Sequence, residues 1–122
     1  MHPFPKSEQL QFLLAGQPTL TQLVFNPYGL GLTLDNDCSI NVENALSHVS
    51  PNGEVSLYER EWRNEKPSHL HTLLERSLIS VDTADYLLTL CFEGGDKVLV
   101  HSDDSNFEAG QIYGSDGSLI VF

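Results

Sequence analysis

The sequence predicts an α+β fold, a predominantly antiparallel β-sheet or half-barrel built from two pseudo-repeated helix-strand-strand-strand halves. Three observations predict it. Apolar residues alternate with polar ones through most of the chain, the period-two pattern of half-buried strands. Gly-, Asn- and Asp-rich turns separate these stretches at short intervals. A shift of 58 residues lays Tyr28 on Tyr86, Leu30 on Leu88, Leu32 on Leu90, Leu34 on Phe92, Ile40 on Val98 and Val42 on Val100. Such a repeat constrains architecture before any single element does. With 122 residues the chain has the length of one domain, whose halves span about 7–58 and 67–122 about a pseudo-two-fold axis.

The elements follow in order. Leu10 to Leu14 reads as a short helix after Ser7, and a shift of 60 lays it on Leu70 to Leu74 after Ser68; either serine suits an N-cap. Strands are expected from about Thr19 to Asn26 and along Leu30, Leu32 and Leu34, with Gly29, Gly31 and Thr33 on the other face. Asp35-Asn36-Asp37 turns the chain, because Asn and Asp tolerate the left-handed conformation and bond their own backbone. Cys38 to Glu43 returns. Leu46 to Gly53 reads as an irregular connection ended by Pro51-Asn52-Gly53, followed by a strand from about Glu54 to Glu59. The second copy runs from Ser77 to Asp82 and Tyr86 to Phe92, turns at Glu93-Gly94-Gly95-Asp96, and returns along Lys97 to His101. Phe107 to Tyr113 and Ser118 to Phe122 close the sheet across a Gly114-Ser115-Asp116-Gly117 turn.

Charge narrows the function. Seventeen Asp and Glu against six Lys and Arg leave a net −11. Nucleic acids and anionic membranes attract cationic surfaces, so direct binding to either is not expected. A basic protein partner is. The middle stretch 59–76 is balanced, and the excess lies in the two flanking stretches that resemble each other. No run approaches the length of a membrane span, and the opening Met1-His2-Pro3-Phe4-Pro5-Lys6 lacks the layout of a secretory signal. Together with two cysteines in no spacing motif, this predicts a cytoplasmic protein.

Catalytic chemistry finds no anchor. His69 and His71 are two apart on a predicted helix and face different directions, while His48 in a loop and His101 at a strand end read as surface histidines. Cys38 and Cys91 have no basic neighbour to activate a thiol. Asp35-Asn36-Asp37 begins like a calcium loop, but Ile40 and Leu46 stand where that loop needs glycine and glutamate. No phosphate loop and no nucleophile elbow is present. The expectation is a non-enzymatic protein with no metal and no cofactor. Its candidate binding residues are the acidic turns, Asp35 and Asp37, Asp82 and Asp85, Glu93 and Asp96, Asp103 and Asp104. Trp62 joins them, flanked by arginines in the most charged stretch, a composition enriched at binding hot spots, the alternative being a core-edge residue packed onto the adjoining sheet.

Two stretches carry a family resemblance: Leu88 to Gly95 followed by Lys97-Val98-Leu99-Val100, and Phe107 to Ile112 followed by Leu119-Ile120-Val121. With the length and acidity, they resemble the small acidic immunity proteins of bacterial toxin systems, including contact-dependent growth inhibition. The resemblance implies a cytoplasmic protein that binds one cognate toxin domain, often a basic nuclease, and blocks its active site or substrate groove. The alternative is a structural or regulatory adaptor that dimerises by pairing edge strands.

Overall fold

A computed structural model describes residues 3–27, 29–59, 69–103 and 108–122. A 3-10 helix, Ser7–Leu14, precedes β1 (Leu20–Asn26), β2 (Gly29–Leu34), β3 (Ser39–Val42), β4 (Ala45–Val49) and β5 (Val55–Glu59). A second 3-10 helix, Leu70–Leu73, precedes β6 (Leu78–Ala84), β7 (Leu87–Phe92), β8 (Lys97–His101), β9 (Gly110–Tyr113) and β10 (Leu119–Val121). The strands form two five-stranded antiparallel sheets, ordered β1-β2-β3-β9-β10 and β5-β4-β8-β7-β6. The expected single sheet or half-barrel is therefore corrected: neither sheet closes, because β1, β10, β5 and β6 remain edge strands. No helix among the described residues is long and apolar enough to cross a membrane.

Alternation sets the core. Leu30, Leu32 and Leu34 on β2 and Ile40 and Val42 on β3 point to the same side as Ile112 on β9. Leu88, Leu90 and Phe92 on β7 and Val98 and Val100 on β8 do likewise in the other sheet. These inward rows join the helix residues Leu10, Leu13, Leu70 and Leu73 in one buried cluster. A one-residue slip of any strand would turn its row to solvent, so burial fixes the register.

The offset of 58 recurs in the hydrogen bonding. Leu20 N donates to Arg76 O at 3.0 Å and Leu78 N to Pro18 O at 2.9 Å, either side of a bridge between Thr19 and Ser77. Asp35 N donates to Thr19 O and Glu93 N to Ser77 O. β1 and β6 each carry a register shift at the same place, between Leu20 and Gln22 and between Leu78 and Ser80. The first helix does not follow the serine-cap expectation. Ser7 lies inside its helix and its Oγ accepts from Thr83 N at 2.9 Å, while Ser68 lies outside the described residues.

The last hairpin of each half is exchanged. Leu46 to Gly53, expected as an irregular connection, contains β4, which pairs with β8 of the opposite half along its whole length. In return β9 pairs with β3. The crossing is tied at Ala109, whose carbonyl accepts from both Glu43 N and Asn44 N at 2.8 and 3.1 Å. β9 approaches closely here: a Cβ on Gly110 would lie 2.2 Å from Asn41 O and 2.4 Å from the Phe122 ring.

Candidate functional site

The exchange carries His48 on β4 to the inner face of the second sheet, opposite Val98. There it meets Asp96, which the β7–β8 turn delivers one residue before β8. Gly94 and Gly95, both at φ +96°, let that turn close tightly. His48 Nε2 lies 2.7 Å from Asp96 Oδ2, and both side chains are almost fully buried, at 4% and 6% exposure. A carboxylate has no proton to give, so Nε2–H of His48 donates to it. Arg76 closes the group from the strand entry of β6: its Nη1 donates to Asp96 Oδ1 at 2.6 Å and to Glu93 O at 3.4 Å. The guanidinium occupies the space over Gly94, where a Cβ would lie 2.8 Å from Nη1. Both Asp96 oxygens are thus engaged, the arrangement a buried carboxylate requires.

This group forms the inner end of a cleft of about 520 Å3 between the second sheet and the second 3-10 helix. Thr72 and His69 line the helix side, Ser50 and Ser56 the β4–β5 side, and Glu54 and Glu93 stand exposed at the mouth. The size lies within the range of small-ligand or side-chain pockets. Outside the cleft, His101 Nε2 bonds Ser47 Oγ at 2.8 Å, and partial burial lowers the His101 pKa from its ordinary 6.5. Among the described residues no three His, Cys, Asp or Glu side chains converge as metal ligands.

The first half supplies an internal comparison. Leu34 N bonds Cys38 O as Phe92 N bonds Asp96 O, so Cys38 is the counterpart of Asp96. Ile40 opposes Ile112 as Val98 opposes His48, so Ile112 is the counterpart of His48. By the same pairing Ile120 corresponds to Ser56, and the symmetric bonds beside the bridge match Pro18 with Arg76. The buried helix leucines match Phe12 with Thr72. The first-half end carries the apolar residues Ile112, Cys38, Pro18, Ile120 and Phe12 at these positions. Phe12 packs over Gly114, and the Asn36 amide donates to Leu13 O and Ala15 O, tying turn to helix. Gly94 stands where the first half has Asn36, with the Arg76 guanidinium over it, and Thr72 in place of Phe12 lines the cleft. The fold itself has no need of the polar version.

Of the residues singled out in the sequence, Asp35, Asp37, Asp82, Asp85, Glu93 and Asp103 are exposed. The Thr19–Ser77 bridge brings the Asp35-Asp37 and Glu93-Asp96 turns to a common edge, and Asp35 also accepts from Thr19 N and Oγ1 at 3.0 and 3.1 Å. Asp96 is the correction: expected on the surface, it is buried, because its side chain shares the inward parity of Val98 and Val100. Trp62 and Asp104 lie outside the described residues. His48 and Arg76 were missed, the first because it reads as a loop histidine. Aligning Asp96 on Cys38 across the repeat is the signal that could have placed Asp96 inside.

Residues 15–122 match the profile of DUF6188, a family of unknown function. The chain belongs to the DUF6188 family. No curated protein and no solved structure matches it. The family profile covers both sheets of this DUF6188 chain, the exchanged hairpins and every residue of the cleft.

Proposed function

We propose that this DUF6188 protein is a non-enzymatic binding protein of the immunity type, which neutralises a basic toxin domain in the cytoplasm through an acidic surface. One observation carries the reading: of the fourteen described Asp and Glu residues all but Asp96 are exposed. Among the described residues the cations are Lys6 and Lys97 at the surface and Arg76, which is pinned to Asp96. A field of one sign steers an oppositely charged partner and raises its association rate. Asp35, Asp37 and Glu93, on the two turns bonded to Thr19 and Ser77, add exposed carboxylates to that field.

The test is co-expression with the product of the adjacent upstream gene. A stable complex and relief of that product's toxicity are expected, with an association rate that falls as salt rises and on Asp35→Lys with Asp37→Lys. An association rate indifferent to salt and to those reversals removes the electrostatic mechanism.

A second reading, a homodimer through strand pairing, draws on β5. This edge strand leaves Val55 and Leu57 at 64% and 52% exposure. Light scattering on the purified protein decides it, since a stable dimer with no partner present favours the adaptor.

A further inference from the structure

We infer that the cleft of the second half is a receptor for one cationic side chain, arginine or lysine, presented by the basic partner; the inference rests on the function proposed above. The equivalent end of the first sheet shows that this backbone can carry Ile112, Cys38 and Pro18 there, with Phe12 packed by Gly114 and Asn36 bonded to Leu13 O. The corresponding end of the second sheet places His48, Asp96 and Arg76 at those positions and has Thr72 in place of Phe12. Burying ionisable groups where apolar ones fit costs stability, and such departures from the consistent solution concentrate at functional sites.

The charge balance names the ligand. Three carboxylates, Asp96, Glu54 and Glu93, line the cleft against one guanidinium, and Asp96 already neutralises Arg76. The two carboxylates left over are exposed, and Ser50, Ser56 and Thr72 line the same cleft. An anion would have to approach two uncompensated carboxylates on a protein of net charge −11. A guanidinium or ammonium on a flexible stem satisfies them and leaves its methylenes against the cleft wall. No set of three metal-ligating side chains is present among the described residues, which separates a side-chain cation from a metal ion.

The experiment is a titration of the intact, isotope-labelled chain, followed by amide NMR, with acetyl-Ala-Arg-Ala-amide, its lysine analogue and its glutamate analogue. The arginine or lysine peptide is expected to shift the amides of Ser50, Ser56 and Gly94 saturably, and the glutamate peptide to leave them in place. Glu54→Gln with Glu93→Gln, both at exposed positions, should weaken binding at least about fivefold. Thr72→Phe, which restores the first half's plug, should abolish it. Saturable shifts with the glutamate peptide, no saturable shift with either basic peptide, or unchanged binding in Thr72→Phe would each overturn the inference. The two readings fail separately. If Asp35→Lys with Asp37→Lys slows capture of the toxin while Thr72→Phe does not alter its affinity, the acidic surface stands and the cleft assignment falls. If the cleft takes arginine but toxin binding ignores salt, the cleft assignment stands and the acidic surface falls.

Discussion

Removing Asp96 tests whether His48, Asp96 and Arg76 act as one unit. In Asp96→Ala the Nε2–H of His48 loses its acceptor at a position with 4% exposure, a loss that costs about 1–3 kcal/mol. The Arg76 pair contributes less, because that side chain is 36% exposed and can turn to water; about 1 kcal/mol is its upper end. The sum, about 1–4 kcal/mol, corresponds to a Tm loss of roughly 4–16 °C for a chain of this length. Combining Asp96→Cys with His48→Ile writes the first half's own residues into the second. With both partners removed, no buried donor is left over, and the double variant should recover at least about half of the loss. Thermal unfolding followed by circular dichroism measures wild type, Asp96→Ala, the single variants Asp96→Cys and His48→Ile, and their double. A Tm loss in Asp96→Ala below about 4 °C, or a double variant as unstable as the two single changes added together, would refute a coupled network.

Other outcomes follow from the packing and from His101. Gly110→Ala should destabilise by roughly 1–3 kcal/mol or more, since its Cβ meets backbone and a buried ring, whereas Gly31→Ala meets Val24 Cβ at 3.5 Å and should change little in urea unfolding. Burial holds the pKa of His101 below its ordinary 6.5, so the unfolded chain takes up this proton first. That contribution to stability is complete above pH 6.5 and is lost as pH falls from there through the folded value; His101→Gln should flatten that part of the stability curve relative to wild type. Leu57→Lys, at an exposed position of edge strand β5, should leave Tm within about 2 °C and abolish any dimer seen by light scattering.

The hairpins β2–β3 and β7–β8 were legible because strict alternation and Asp- or Gly-rich turns speak for themselves locally. β4 was not. In Ala45-Leu46-Ser47-His48-Val49 three consecutive residues are buried, two of them polar, so period two disappears and a following Pro51-Asn52-Gly53 reads as loop. The partition into two open sheets was equally hidden, because it depends on which distant strands pair, and β3–β9 and β4–β8 join residues some 50 to 70 apart in the chain. The site suffered twice over. His48 sits on the strand that was missed, and Asp96 sits in a turn whose neighbours Glu93, Gly94 and Gly95 are all exposed. Legibility failed where local pattern and tertiary role conflict, at the polar end of an otherwise apolar row.

The hairpin exchange makes the cleft a joint product of the two halves, which leads to a last prediction. Thr72, Arg76, Glu93 and Asp96 come from the second half, but His48, Ser50, Glu54 and Ser56 arrive on the first half's lent hairpin. A fragment 67–122 alone lacks the β4 that covers β8, and a fragment 1–66 lacks the β9 that covers β3. Each would expose an apolar three-stranded sheet with an unpaired inner edge, a species prone to aggregate. Neither fragment should therefore give a cooperative thermal transition alone, while co-refolding the two should restore one, together with the cleft amide shifts on adding the arginine peptide. A fragment 67–122 that folds by itself and binds that peptide would show that the lent hairpin is dispensable, and the site would have to be redrawn without His48.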